Sequence, residues 1–110
     1  MNPSSICPRF EKAMSLLSQR WTGLIIYCLL DRGAQRFSEI EASISISGKV
    51  LSERLKDLEA NGLINRMVYP ETPVRIEYSL TDKGHALMPV LQDIQTWAEE
   101  WIREEEVNNH

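Results

Sequence analysis

The sequence predicts a mainly helical fold with one small β-hairpin, on three observations. Apolar residues recur at helical spacing over most of the 110 residues. One stretch, 63–80, switches to Val-, Ile- and Tyr-rich segments broken by two prolines. Immediately before it, 37–61 carries two short helical patterns separated by Ser45, Ile46, Ser47 and Gly48. Length sets the scale at a single domain, 1–110, with a modest core.

Cys7-Pro8 reads as a helix start, with Pro8 at the first helical position and Cys7 as the N-cap. Phe10, Ala13, Met14 and Leu17 would then share one inward face of a helix over 8–18. A second helix is expected from near Arg20, with Trp21, Leu24, Ile25, Cys28 and Leu29 inward, stopped by Gly33 in the left-handed conformation. Ser38 and Glu41 form an S-x-x-E capping pattern for a third helix, with Ile40 and Ile44 inward. Ser47 suits the N-cap of a fourth helix, Gly48 to Ala60, whose inward stripe is Leu51, Leu55 and Leu58 and whose stop is Asn61-Gly62. Leu63–Tyr69 and Arg75–Leu80 read as antiparallel strands joined by a proline-stiffened loop. Thr81 caps a last helix, 82–106, in which Pro89 is a kink candidate. Its stripe includes Leu87, Leu91, Ile94, Trp97 and Trp101. Such a stripe exceeds what a small domain needs to cover itself. It either folds back on its own core or, the reading preferred here, pairs two subunits together with the first helix.

Helix, turn, helix and then a two-stranded wing is how a small domain presents one helix and one hairpin to duplex DNA. On the fourth helix, Ser47, Gly48, Lys49, Ser52 and Glu53 occupy the leading outward side, with Lys56 further along and suited to phosphate. Glu53 either accepts from a cytosine amino group or pairs with Lys49 or Lys56, and the pairing is preferred. Arg75, at the edge of the wing loop, suits a minor groove or a phosphate. Arg66 is open between a phosphate contact and a strand-face ion pair with Glu77. The formal net charge is −4, but residues 1–75 hold 10 basic and 8 acidic residues while 76–110 hold 2 and 8. The acidity therefore sits mostly beyond the reading head.

No apolar run is long enough to span a membrane, and residues 2–5 do not read as a signal peptide. Two cysteines make no disulfide framework, so a reducing, cytoplasmic location is expected. Cys7 at a helix N-terminus, near Arg9 and Lys12, is either a reactive sensor thiol or an inert cap. Cys28, on an apolar face, reads as a small core hydrophobe. His85 and His110 are the only histidines and fit no catalytic or metal-ligand spacing. No enzyme, cofactor or metal site is therefore expected. A winged-helix module used only for protein contacts, or a regulator answering a non-covalent small ligand, is the alternative.

Three segments carry a specific resemblance: CPRFEKAMSLLSQRW, RFSEIEASISISGKVLSERLKDLEANGLI and YPETPVRIEYSLTDKGHALMPVL. From about Cys7 to Trp101 the chain resembles the HxlR-type branch of winged helix-turn-helix regulators, a bacterial group related to MarR. Within it, the chain is most similar to the quinone- and diamide-responsive thiol repressors, which share a cysteine at the place of Cys7. The resemblance implies a winged helix-turn-helix with N- and C-terminal dimerisation helices, and a homodimeric repressor on a pseudo-palindromic double-stranded operator. It makes 48–60 the recognition helix and 71–75 the wing tip. It moves Cys7 towards redox or electrophile sensing, with a quinone or another thiol-reactive electrophile as partner. An intramolecular Cys7–Cys28 disulfide stays open, but with no cysteine after Cys28 the preferred partner of Cys7 is Cys7 of the other subunit, or the product is an adduct with a small thiol or quinone. Gly48 departs from the group, whose members commonly carry a longer polar residue there.

Overall fold

The computed structural model describes residues 6–107. Residues 2–5 and His110, both used in the reading above, lie outside the described residues. The elements run α1 (Pro8–Leu17), α2 (Thr22–Arg32), α3 (Phe37–Ile44), α4 (Gly48–Ala60), β1 (Ile64–Tyr69), β2 (Arg75–Leu80), α5 (Asp82–His85), α6 (Met88–Trp101) and α7 (Glu104–Val107).

The core lies where α2, α3, α4 and the base of the hairpin meet. Ile25, Ile26, Leu29, Ile40, Leu51, Leu55, Leu58, Leu63 and Leu80 form its buried cluster. Ile46, in the turn between α3 and α4, is also buried, so that turn is anchored by a side chain as well as by its backbone. The two strands pair antiparallel from Ile64↔Leu80 to Tyr69↔Arg75. Gln35 adds a one-residue bridge to Tyr78, with both backbone bonds formed at 2.9 and 2.7 Å. The wing is thereby tied to the α2–α3 connection.

Several expectations are corrected. α2 begins at Thr22 because Trp21 takes a left-handed backbone, φ 77°, which ends the preceding turn. Its buried face is Thr22, Ile25, Ile26, Cys28 and Leu29, while Leu24 is exposed. α3 starts one residue before Ser38. The Glu39 carboxylate accepts from the Arg36 N–H at 2.9 Å, so the capping glutamate is Glu39 and not Glu41. α1 buries none of its residues: Phe10, Ala13 and Met14 are exposed and Leu17 is half-buried. The C-terminal helix is three segments. Thr81 caps the first, its hydroxyl accepting from Gly84 N at 3.1 Å and donating to the Gly62 carbonyl at 2.6 Å. Pro89 is then the second residue of α6, where its missing N–H costs nothing, so it begins a helix instead of kinking one.

Gly84 explains why α5 sits where it does. A Cβ there would run into the Leu63 carbonyl oxygen and the Leu80 side chain. The backbone of α5 thus lies directly on the start of the hairpin, and only glycine permits that approach.

Candidate nucleic-acid interface

The polar face of α4 is positioned by its apolar one. Ser47 caps the helix, accepting from Val50 N at 3.3 Å, and its carbonyl accepts from Leu51 N at 2.9 Å. With Leu51, Leu55 and Leu58 locked inward, Lys49, Glu53 and Lys56 project into solvent and Ser52 lies at the margin. This is the arrangement a groove-reading helix needs: donors on a rigid face, with their approach set by the core.

Gly48 is placed differently from its expected outward position. It is half-buried, and a Cβ there would meet the Glu41 carboxylate at 2.9 Å and the Phe37 ring at 3.7 Å. It faces α3, where an added Cβ would have to displace only the flexible end of the Glu41 side chain. The expected pairing of Glu53 with Lys49 or Lys56 is not formed, because the only ion pairs among the described residues belong to Arg75. Arg54 reaches back instead to the Arg20 carbonyl at 2.9 Å and ties α4 to the α1–α2 turn.

Between α4 and the hairpin lies a cleft of about 390 Å³ lined by Ser52, Leu55, Lys56, Glu59, Arg66 and Tyr78. Arg66 stands opposite Tyr78 in the strand register. The cleft therefore brings together Lys56, Arg66 and Ser52, residue types suited to a phosphate, with Glu59 as the opposing charge. Arg66 does not pair with Glu77, as one sequence reading had it. Glu77 is taken by Arg75.

Arg75 forms both ion pairs found among the described residues. Its Nη2 and Nε donate to the two Glu71 oxygens at 2.9 and 3.2 Å, and Nη1 donates to Glu77 at 2.8 Å. Its guanidinium lies over the Tyr69 ring, 3.9 Å from the centroid. The hydrogen bonds from Arg75 hold the Glu71 carboxyl below its usual range, and those to Glu71 and Glu77 push the guanidinium up. Sequence reading placed Arg75 at the wing but missed this cluster. The available signal was Glu77 two residues along the same strand face, with Glu71 across the loop.

Away from this face, Cys7 is an exposed free thiol at the N-cap of α1, with extended backbone and no side-chain cap bond. Cys28 is a buried free thiol, 6% exposed, whose Sγ donates to Gln35 Oε1 at 3.8 Å. Next to α1, a groove of about 560 Å³ is lined mainly by Leu17, Trp21, Leu24, Tyr27, Leu91 and Ile94. Phe10, Met14, Trp97 and Trp101 are exposed on α1 and α6.

The HxlR-like helix-turn-helix model matches residues 16–106. The chain belongs to this family. The HTH-type transcriptional regulator YvaP of Bacillus subtilis (strain 168) is 64% identical over 103 residues, covering 93% of this chain and 94% of YvaP. YodB, an HTH-type transcriptional regulator of the same organism, is 52% identical over 99 residues, 89% of this chain and 88% of YodB. The reduced form of YodB from B. subtilis superposes with a TM-score of 0.80 at 52% identity, over 89% of this chain and 96% of that one. Its quinone-bound form gives 0.76 at 47%, over 87% and 100%. As an HxlR-type protein with MarR-related architecture, the chain is a winged helix-turn-helix transcriptional regulator and not an enzyme. No helix among the described residues is long and apolar enough to cross a membrane.

Proposed function

We propose that the protein is a homodimeric, cytoplasmic repressor. α4 reads the major groove of a pseudo-palindromic operator, and electrophiles or oxidants acting on Cys7 release it. The observation that carries the DNA reading is the convergence of Ser52, Lys56 and Arg66 on one cleft between α4 and the wing. A backbone phosphate held there would fix how α4 sits in the groove. Ser47 and Lys49 would then face base edges or adjacent phosphates, and Glu53, unpaired by Lys49 or Lys56, is free to accept from a cytosine amino group.

Dimerisation is supported by the exposed apolar residues of α1 and α6 and by the groove beside them. Surface of this kind is a liability in a monomer. Residues 8–18 and 82–106 would form the interface, 37–61 the helix-turn-helix and 63–80 the wing.

The Cys7 switch is supported by the exposure of the thiol at a helix N-terminus, beside the dimer face. It is also supported by the likeness to a regulator solved in both reduced and quinone-bound forms. The thiolate would add to a ring carbon of a quinone, forming a C–S bond, and proton uptake would leave a hydroquinone thioether. With an azo oxidant such as diamide, two thiols would lose two electrons and two protons to the oxidant and form a disulfide. That disulfide would join Cys7 residues of two subunits, because Cys28 is buried.

The test is operator affinity and intact mass before and after diamide or quinone. Wild type and Cys28→Ser should lose affinity with a matching mass change, and Cys7→Ser should keep it. An unchanged response in Cys7→Ser would end the sensing proposal.

A further inference from the structure

The wing arginine is already occupied. Three of the five N–H donors of Arg75 are spent on Glu71 and Glu77, and one face of its guanidinium covers Tyr69. Two carboxylates surround one guanidinium, so the cluster carries one net negative charge. Arg36 offsets part of it from a greater distance without forming an ion pair. A wing in this state presents DNA with a neutralised arginine and excess negative charge.

We infer that Glu71 competes with DNA phosphate for Arg75, so that the wing engages a duplex only by exchanging this carboxylate for a phosphate oxygen. The inference rests on the DNA-binding reading and adds to it a residue that limits affinity. Geometry makes Glu71 the exchangeable partner. It is the more exposed of the two carboxylates, with its side chain 52% accessible against 23% for Glu77. It comes from the loop, whereas Glu77 is two residues from Arg75 on the same strand. Tyr69, the cross-strand partner of Arg75, can keep the guanidinium plane in place while its edge changes partner. An operator complex seated by its other contacts holds a phosphate against Arg75 and completes the exchange, whereas a loosely docked non-operator complex leaves Arg75 with Glu71. Glu71 thereby withholds the wing contact from indiscriminate binding.

The experiment uses reduced full-length protein, a duplex of scrambled sequence, and fluorescence anisotropy across a NaCl series. Glu71→Gln keeps the size of the side chain and removes the charge. It should bind the scrambled duplex about two- to thirtyfold more tightly, the range open to two exposed ion pairs, one per subunit. The fall of log K with log salt should steepen by about 1.8, one added phosphate contact per subunit. A double-mutant cycle separates exchange from distant charge. Arg75→Gln should cost more affinity in the Glu71→Gln background than in wild type, because there the arginine is free to act. Equal costs in both backgrounds would make Glu71 merely one additive charge and would overturn the inference. So would a Glu71→Gln protein that melts lower and binds more weakly, which would make the cluster a structural strut. Failure of wild type and every variant to bind any duplex would instead remove the DNA-binding reading, and this inference with it.

Discussion

Trp97→Ala probes the apolar face most sharply. Trp97 is 58% exposed on α6, and it borders a hollow of about 340 Å³ shared with Val90, Asp93 and Ile94. A tryptophan offers roughly 150–250 Å² for burial, so about 90–150 Å² of this one is open. Complete coverage by a partner subunit would be worth about 2–4 kcal/mol per protomer at ~25 cal/mol per Å². If the partner covers half of that area, the two copies contribute about 2–4 kcal/mol to the dimer. Trp97→Ala should then raise the dimer dissociation constant about 30- to 1,000-fold. Sedimentation equilibrium over a concentration series measures it, and circular dichroism should show an unchanged monomer fold because no core contact is lost. A dissociation constant within about threefold of wild type would refute the assignment of this face to dimerisation.

Two further substitutions test separate parts of the account. Gly84→Ala should destabilise the fold by about 1–3 kcal/mol, since the methyl group is forced against the Leu63 carbonyl and Leu80. Thermal unfolding should show a Tm lower by several degrees, and an unchanged Tm would mean that α5 does not rest on the hairpin as described. Lys56→Ala and Arg66→Ala should each weaken binding to all duplexes and flatten the salt dependence by about 1.8, one phosphate per subunit, because both face the same cleft. A variant with the wild-type slope would remove that side chain from the phosphate site.

Much of α4 and the hairpin was legible in the sequence because the signals are local. Ser47 before Gly48, leucines at 51, 55 and 58, and Asn61-Gly62 define α4 without reference to any other element. The strands were bracketed equally well by Gly62, Pro70, Pro73 and Thr81. What failed depended on what lies opposite. The stripe Phe10, Ala13, Met14 and Leu17 has helical spacing whether it faces its own core or another chain, and periodicity alone does not say which. The start of α3 was misplaced because S-x-x-E fits at Ser38, while Glu39 can serve the Arg36 N–H one turn earlier. That earlier start brings Phe37 into the helix and against the core.

The charges behaved in the same way. Glu53 lies within helical reach of both Lys49 and Lys56, yet forms no ion pair with either. Exposed pairs gain little, and their side chains remain free to extend into solvent. Arg75, read as a minor-groove or phosphate contact, is clamped because its strand face and the loop deliver two carboxylates to one guanidinium. Gln35 bonding to Tyr78 left no pattern at all, since a single-residue bridge has no periodicity.

DNA reading through α4 and the adjoining cleft is the proposal on which the other assignments depend. The most direct measurement is selection of duplexes from a random-sequence pool by the reduced protein, followed by a salt titration on the enriched sequence. Lys49, Lys56, Arg66 and the exchanged Arg75 from each of two subunits imply about eight phosphate contacts and a slope of log K against log salt near −7. The expected result is an enriched pseudo-palindrome with half-sites about one helical turn apart, bound with that slope. Failure to enrich any sequence at low salt would contradict it.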